Sequence, residues 1–197
     1  MRLFLAIRPP RAALDHLEPA LDGVRDRAGR ALRWTEPEQR HLTLAFHPEV
    51  PAGAVDDVVA DAGRIAAGHA PLDLHLAGAG EFSHRTLWVG VGGQVRELGA
   101  LLAEPWLADD DGRDRRRAHL TVARVSAATP RPRGRRRGEP RPSAPSTVLL
   151  AEAVHALAVY RGPQWTADEV EVVASRLGEG RSGGPLHEVL ATVPLRG

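Results

Sequence analysis

Two spacings of apolar residues alternate along this 197-residue chain. Short runs such as RLFLAI (2–7) are typical of strands, whereas the segment after it repeats leucine every three or four positions, as an amphipathic helix does. The same two patterns recur to the end of the chain. They predict helices at 11–28, 53–67, 94–103 and 147–160, and strands at 2–7, 31–34, 40–46, 72–77, 85–91, 118–124, 169–176 and 187–193.

One order of predicted elements occurs twice. A strand and a helix are followed by a strand that begins His-Leu-Thr, first at His41 and again at His119. Because side chains alternate along a strand, His41 and Thr43 face one side, and so do His119 and Thr121. A single His-x-Thr is commonly structural, but two copies in matching settings indicate function. Together they would surround one small anion with two imidazoles and two hydroxyls.

The predicted fold class is α+β. We expect two pseudo-symmetric lobes, each a mostly antiparallel sheet with outer helices, which form a central active-site groove. The lobes are interleaved in sequence, so residues 1–197 form a single bilobal domain. No GxxxxGK[ST] follows a strand, and no GxGxxG lies between a strand and a helix, which argues against a doubly wound nucleotide fold. Residues 126–146 are rich in Pro, Arg, Ser and Gly and predict a long surface loop.

Composition narrows the chemistry. The chain has no cysteine, which excludes disulfides and thiolate catalysis. No apolar run approaches membrane-spanning length, and no signal peptide is evident, so we expect a soluble cytoplasmic protein with no membrane partner. All 26 basic residues are arginine, and residues 131–141 are especially basic. That cluster either recruits a polyanion or is a solvated loop in a chain that uses arginine throughout.

The paired motifs suit metal-free phosphodiester cleavage. One imidazole can take a proton from the attacking oxygen while the other gives one to the leaving oxygen, because histidine titrates near neutrality. The threonine hydroxyls would donate to the non-bridging phosphate oxygens. The remaining histidines lack metal-ligand spacing. His47 shares a predicted face with His41 but is too distant along an extended strand to share an ion. No metal and no cofactor are expected.

Paired His-x-Thr motifs about eighty residues apart resemble the two-histidine phosphoesterases. The more specific resemblance is to the RNA 2′,3′-cyclic phosphodiesterases, also called the 2′-5′ RNA ligase family. It is carried by five segments that span nearly the whole chain. They read MRLFLAIRPP, RWTEPEQRHLTLAF, RRRAHLTVAR, DEVEVVASRLG and HEVLATVPL.

The resemblance implies roles for five residues. His41 corresponds to the proton donor, His119 to the proton acceptor, and Thr43 and Thr121 to phosphate-binding residues. Arg124 corresponds to an arginine that helps to hold the phosphate. Strict alternation turns Arg124 away from His119 unless the strand ends or bulges there.

The aromatic residues are predicted to have structural roles. Alternation puts Phe46 on the buried face with the leucines of its strand, so it is predicted to be core rather than base-stacking. The chain departs from the family in two places: His47-Pro48 stands where a glycine is common, and His187 stands where an aromatic residue is often found. The four tryptophans are predicted to be core or rim. They are Trp34, Trp88, Trp106 and Trp165.

The resemblance and the paired motifs together predict a metal-independent RNA 2′,3′-cyclic 3′-phosphodiesterase that leaves a 2′-phosphate. Its partners would be RNA ends or small cyclic-phosphate nucleotides, with no obligate protein partner. Two alternatives stay open. The same site could perform 2′-5′ RNA ligation or hydrolyse a small cyclic nucleotide, or the chain could be a non-catalytic RNA-binding module dominated by its basic loop.

Overall fold

Except for one strand that the apolar pattern missed, the helices and strands follow the predicted order. The computed structural model describes residues 1–106, 117–126, 145–180 and 184–197. Its helices are α1 (Arg11–Ala28), α2 (Val55–Ala66), α3 (Val95–Leu102) and α4 (Pro145–Leu157). Its strands are β1 (Arg2–Ile7), β2 (Leu32–Trp34), β3 (Leu42–His47), β4 (Leu72–Phe82), β5 (Thr86–Gly93), β6 (His119–Val125), β7 (Arg161–Ala167), β8 (Glu169–Arg176) and β9 (Leu186–Pro194).

The described strands form one sheet rather than one sheet for each lobe. Its order is β7-β4-β5-β6-β3-β1-β8-β9, with β2 paired beside β3 on the same edge of β6. Neighbouring strands are antiparallel. The two halves join along one edge of β6, where Leu42 of β3 pairs with Leu120 and β2 pairs with residues 123–125. The expected α+β class and antiparallel pairing are confirmed, but separate sheets are not what the chain forms.

One face of the sheet packs against the helices. Leu42 and Leu120 are both fully buried and share a core with Leu17 and Leu21 of α1. A much smaller cluster, made of Phe4, Ala6, Val173 and Phe46, lies apart from that core. Since alternate residues of β3 and β6 enter the helix-covered core, the histidines and threonines between them face the other side.

The sequence pattern missed β7. This strand reads RGPQWTA, and its Gly162 and Pro163 disfavour a strand because proline cannot donate to a ladder. The structure shows why it is tolerated: β7 pairs with β4 alone and forms one edge of the sheet. An edge strand needs hydrogen bonds on one side only, so Pro163 does not interrupt a second ladder.

Two predicted loops are largely outside the structure's description. Most of the long loop at 126–146, including the basic cluster at 131–141, lies outside the described residues, as do residues 181–183 of the final hairpin turn. Within the described residues, no helix is long and apolar enough to cross a membrane.

Candidate active site

The junction between the two halves brings the four motif residues together. The pairing of Leu42 with Leu120 sets His41 opposite Thr121 and Thr43 opposite His119. The two histidines are therefore diagonal neighbours, a relation that separates Cα atoms by about 7–8 Å in an antiparallel pair and brings the Cβ atoms somewhat closer. That separation leaves room for one phosphate between two imidazoles. All four side chains line one cavity of about 550 Å³.

Both imidazoles are oriented in the same way. His41 Nδ1 lies 2.7 Å from the carbonyl oxygen of Gln39, and His119 Nδ1 lies 3.1 Å from the carbonyl oxygen of Arg117. A carbonyl can only accept, so each Nδ1 carries the proton and donates it. In each neutral ring, Nε2 therefore has a free lone pair. Each motif thus fixes its histidine through the carbonyl two residues before it.

Burial keeps the imidazoles neutral in the unliganded protein. It lowers the pKa of His41 to about 4, against a raising effect of the Gln39 hydrogen bond, and nearby His187, Arg8 and His119 lower it further. Burial also lowers the pKa of His119, with Arg124 adding to the effect. A bound phosphate would oppose both shifts, because a nearby negative charge favours the imidazolium.

A bulge in each motif strand changes which later residues face the site. Ala6 pairs with Thr43 and Leu5 with Ala45, so Leu44 is an additional residue in β3. In β6 the additional residue is Val122, between the partners of Trp88 and Leu87. Each bulge reverses the alternation after it. It therefore turns the residue five positions after each histidine toward the site.

Arg124 and Phe46 are those residues, and both line the cavity. Strict alternation alone would turn Arg124 away, but β6 bulges, which is the exception stated for it, and Arg124 faces the site. The prediction that Phe46 is purely core is wrong in part. Its ring packs against the small cluster around Phe4 while it lines the cavity, and the guanidinium of Arg2 lies 5.2 Å from the ring centroid.

The cavity is electropositive. Arg2, Arg33 and Arg124 line it, and among the described residues none of the three has a carboxylate within ion-pair distance. Glu36 is the carboxylate on its described lining. Unpaired guanidinium groups are suited to phosphate oxygens, which they can bind through two hydrogen bonds at once.

His187 is a site residue that sequence reasoning did not find. It lines the same cavity, and its ring lies 5.4 Å from that of His41 and 4.9 Å from that of Phe4, edge-on to both. Its Nδ1 is buried without a hydrogen-bond partner in the described chain. Burial lowers its pKa, and Arg8 lowers it further. The only sequence signal was its place in the closing hairpin, where the family often has an aromatic residue.

The segment that leads into His41 is held from several sides. Arg40 is fully buried, pairs with Glu18 of α1 and donates from Nε to the Thr35 carbonyl 3.1 Å away. Arg8 donates to the carbonyl of Glu38 at 2.5 Å and forms a two-pronged ion pair with Glu171. These contacts fix the backbone that carries the Gln39 carbonyl, and so they fix the His41 ring.

The hairpin that carries His187 is tied to the same segment. The Gln39 side-chain amide donates to the carbonyl of Pro185 at 2.7 Å. Gln39 therefore holds His41 with its main chain and the start of β9 with its side chain. One residue thus contacts both the wall of the cavity and the imidazole inside it.

The tryptophans are core or rim, as predicted. Trp106 is buried, Trp88 is nearly so beside His119, and Trp34 and Trp165 pack partly buried against the main core. Within the described ranges, no three His, Asp or Glu side chains are grouped so that they could hold a metal ion. The polar groups on the lining include imidazoles, hydroxyls, guanidinium groups and the Glu36 carboxylate.

Comparison with known proteins agrees with this arrangement. Residues 7–88 match the family model described as LigT-like phosphoesterase. The chain is 36% identical over 99 residues to an RNA 2′,3′-cyclic phosphodiesterase of Geobacillus stearothermophilus, which covers 46% of this chain and 32% of that protein. It is 32% identical over 98 residues to the protein of the same name from Methanothermobacter thermautotrophicus, with 46% and 51% covered. The matches span about half or less of these relatives.

Solved structures match the whole chain. The protein TT0787 of Thermus thermophilus is 27% identical, with a TM-score of 0.67 over 100% of this chain and 99% of that one. Escherichia coli LigT complexed with 3′-AMP is 22% identical, with a TM-score of 0.65 over 100% and 98%. The resemblance indicated by the paired motifs is thereby confirmed.

Proposed function

We propose that this chain, which matches the LigT-like phosphoesterases in sequence and in fold, is a metal-independent phosphodiesterase that opens RNA 2′,3′-cyclic phosphate ends to 2′-phosphates. One observation carries the proposal. Two imidazoles on diagonal positions of neighbouring strands are oriented by the same backbone contact, with Nε2 left free on each. General acid–base cleavage of a phosphodiester needs two such groups, one on each side of the phosphorus.

The reaction needs no group beyond these side chains and water. His119 Nε2 takes a proton from water as its oxygen attacks phosphorus, and the bond from phosphorus to O3′ breaks. O3′ takes a proton from Nε2 of a His41 imidazolium, which leaves a 3′-hydroxyl and a 2′-phosphate. Afterwards His119 carries the proton and His41 does not, and exchange with solvent restores the starting state.

The electrostatics of the free protein bear on the order of the two histidines. The pKa of His41 near 4 makes it neutral at pH 7, so as donor it must gain its proton when the substrate phosphate binds. The hydrogen bond to the Gln39 carbonyl favours that imidazolium. Without substrate, the same low pKa would favour His41 as acceptor. We assign His41 as donor and His119 as acceptor because this follows the order that the resemblance implies.

Other polar residues that line the cavity can bind the phosphate oxygens. Thr43 and Thr121 have no hydrogen-bond partner for their hydroxyls among the described residues, and both line the cavity. They are free to donate to the non-bridging oxygens, and more strongly as charge develops in the transition state. Arg124 supplies a full positive charge beside them. RNA ends and small cyclic-phosphate nucleotides are the proposed ligands.

A hydrolysis assay tests this function. A short RNA ending in 2′,3′-cyclic phosphate is incubated with the chain in excess EDTA, and the product is identified as 2′- or 3′-phosphate. We expect EDTA-insensitive release of 2′-phosphate. His41→Ala and His119→Ala should each reduce turnover by roughly 10²–10⁴-fold. His155→Ala, an exposed histidine on α4, is the matched control and should be unaffected.

Two results would contradict the proposal. Near wild-type turnover in either site variant would exclude the two-imidazole mechanism. A requirement for added divalent metal would exclude the metal-free route, since it would assign the chemistry to an ion rather than to the imidazoles.

A further inference from the structure

A second cavity, of about 590 Å³, lies on the His119 side of the site. Its floor is the surface of β4 and β5, and α3 forms its opposite wall. Arg117 and Ala118 close the end that leads into His119. Neither the two-imidazole mechanism nor the contacts around His41 make use of this space.

The floor has glycine at two positions where a side chain would collide with Trp88 or with the neighbouring strand. A Cβ at Gly80 would lie 2.1 Å from the ring of Trp88, and one at Gly90 would lie 2.6 Å from the carbonyl oxygen of Ala77. Both positions therefore require glycine. Trp88 lies flat across Gly80 and forms an aromatic surface 6.2 Å from the His119 ring, measured between centroids. The exposed ring of Phe82 adjoins both Trp88 and His119.

Arg117 links this cavity to the catalytic imidazole. Its main-chain carbonyl accepts the hydrogen bond that orients His119, while its guanidinium lies 5.2 Å from the centroid of Trp88. Among the described residues this guanidinium has no carboxylate partner. Glu81 is the carboxylate on the described lining. It already contacts both the main-chain amide and the imidazole ring of His84.

We propose that this second cavity binds the nucleotide that precedes the cyclic phosphate terminus of an RNA chain. A guanidinium lying on an aromatic ring offers a flat cation for a base to stack on, and it can hold the phosphodiester that joins the last two nucleotides. The inference rests on the proposed hydrolysis, since it takes the first cavity as the place of the terminal nucleotide. It assigns to RNA a substrate contact that a free cyclic nucleotide cannot make.

Gly99 allows the cavity to be filled from its far wall. It lies inside α3, lines the cavity, and a Cβ built on it meets nothing within 4 Å. Gly99→Phe should occupy the space without touching the imidazoles, and Gly99→Ala is the matched control that adds only a methyl group. Each variant is first checked by thermal unfolding, since alanine in place of glycine should stabilise a helix.

The assay compares two substrates, a mononucleoside 2′,3′-cyclic phosphate and a dinucleotide that ends in the same group. In the wild-type chain the KM of the dinucleotide should be lower by about 5- to 100-fold, the range that one stacked base supports. Gly99→Phe should raise the dinucleotide KM to the mononucleotide value and leave the mononucleotide kcat and KM unchanged. Gly99→Ala should keep the dinucleotide advantage. Arg117→Gln should reduce the ratio of the two kcat/KM values.

The outcomes separate this subsite from the function on which it rests. Equal KM values in the wild-type chain, or equal effects of Gly99→Phe on both substrates, would overturn the subsite while mononucleotide hydrolysis stands. Failure of the wild-type chain to hydrolyse either substrate would overturn both. Loss of the dinucleotide advantage in Gly99→Ala as well as in Gly99→Phe would also overturn the subsite, since a methyl group leaves the space open.

Discussion

Removal of the Glu18 carboxylate should destabilise the protein far more than its partly exposed position suggests. Its partner Arg40 is 1% exposed. Of the three nitrogens of that guanidinium, one contacts Glu18, one contacts the Thr35 carbonyl, and Nη2 has no partner in the described chain. Glu18→Ala would leave a buried charge with one carbonyl contact. Breaking a buried pair in this way typically costs about 3–5 kcal/mol.

The structure puts the expected value near the lower limit. Glu18 is 27% exposed on its side chain, so water can partly replace it. Burial acts to raise its pKa, but the hydrogen bonds from Arg25 and Arg40 outweigh burial and lower it. Arg25 is 29% exposed and holds the other carboxylate oxygen. Arg25→Ala is the control, because it leaves no buried charge; it also removes the ion pair with Asp22 and the contact with the Trp34 ring, and should cost about 1–2 kcal/mol.

Urea unfolding at pH 7 measures both changes, with equal m-values as the check that the unfolding transition is comparable. The double variant Glu18→Leu with Arg40→Met should recover most of the loss, because a well-packed apolar pair avoids the cost of the buried charges. If Glu18→Ala costs no more than Arg25→Ala, Arg40 is satisfied without its carboxylate and the reasoning is refuted. Turnover should also fall, since Arg40 anchors the backbone that orients His41.

Further predictions concern pH, phosphate binding, the hairpin and the basic loop. The pKa of His41 in the folded protein is about 4, which lies below its value in the unfolded chain. The stability that the neutral ring contributes is therefore present above pH 6.5 and is lost as the pH falls toward 4. The loss in the free energy of unfolding amounts to about 3 kcal/mol. Urea unfolding at pH 7 and at pH 4.5 should show a smaller loss in His41→Gln, and an equal loss would contradict the assignment. Arg124→Gln should lower kcat/KM by about 10- to 100-fold through a lost charged hydrogen bond, whereas exposed Arg64→Gln should change nothing. His187→Phe should raise the pKa of His41, followed by NMR titration, because His187 lowers it; an unchanged titration would be evidence against that coupling. Neutralising the arginines of 131–141 should flatten the salt dependence of long-RNA binding and leave turnover of a dinucleotide cyclic phosphate unchanged; loss of that turnover would show that the loop acts at the site.

The sequence was sufficient for the elements and the motif residues. Period-two and period-3.6 patterns identify every described helix and most strands, because each element buries one face. The shared face of His41 and Thr43 follows from alternation alone. The sequence could not show that both halves share one sheet, since the joining pair of Leu42 and Leu120 is set by tertiary contact.

The sequence did not predict which face of the sheet Phe46 and Arg124 occupy, and the reason is local. Alternation holds only while a strand is regular, and each motif strand gains one residue within three positions of its threonine. The two consecutive buried residues in each strand, Leu44-Ala45 and Val122-Ala123, record this change. Arg40 and His187 were missed because their roles depend on contacts with distant segments, which no spacing encodes.

The seam between the halves decides where the two imidazoles lie. Only one residue pair joins β3 to β6 in the described ladder, whereas β4 and β5 pair over most of their lengths. Beside that pair, β2 adds three further pairs along the same edge of β6, and the Thr35 amide donates to the Val122 carbonyl. Each half carries one imidazole. Because a shift of β3 along β6 by one residue would turn one histidine to the opposite face of the sheet, the register of this single pair decides whether the two imidazoles can act on one phosphate.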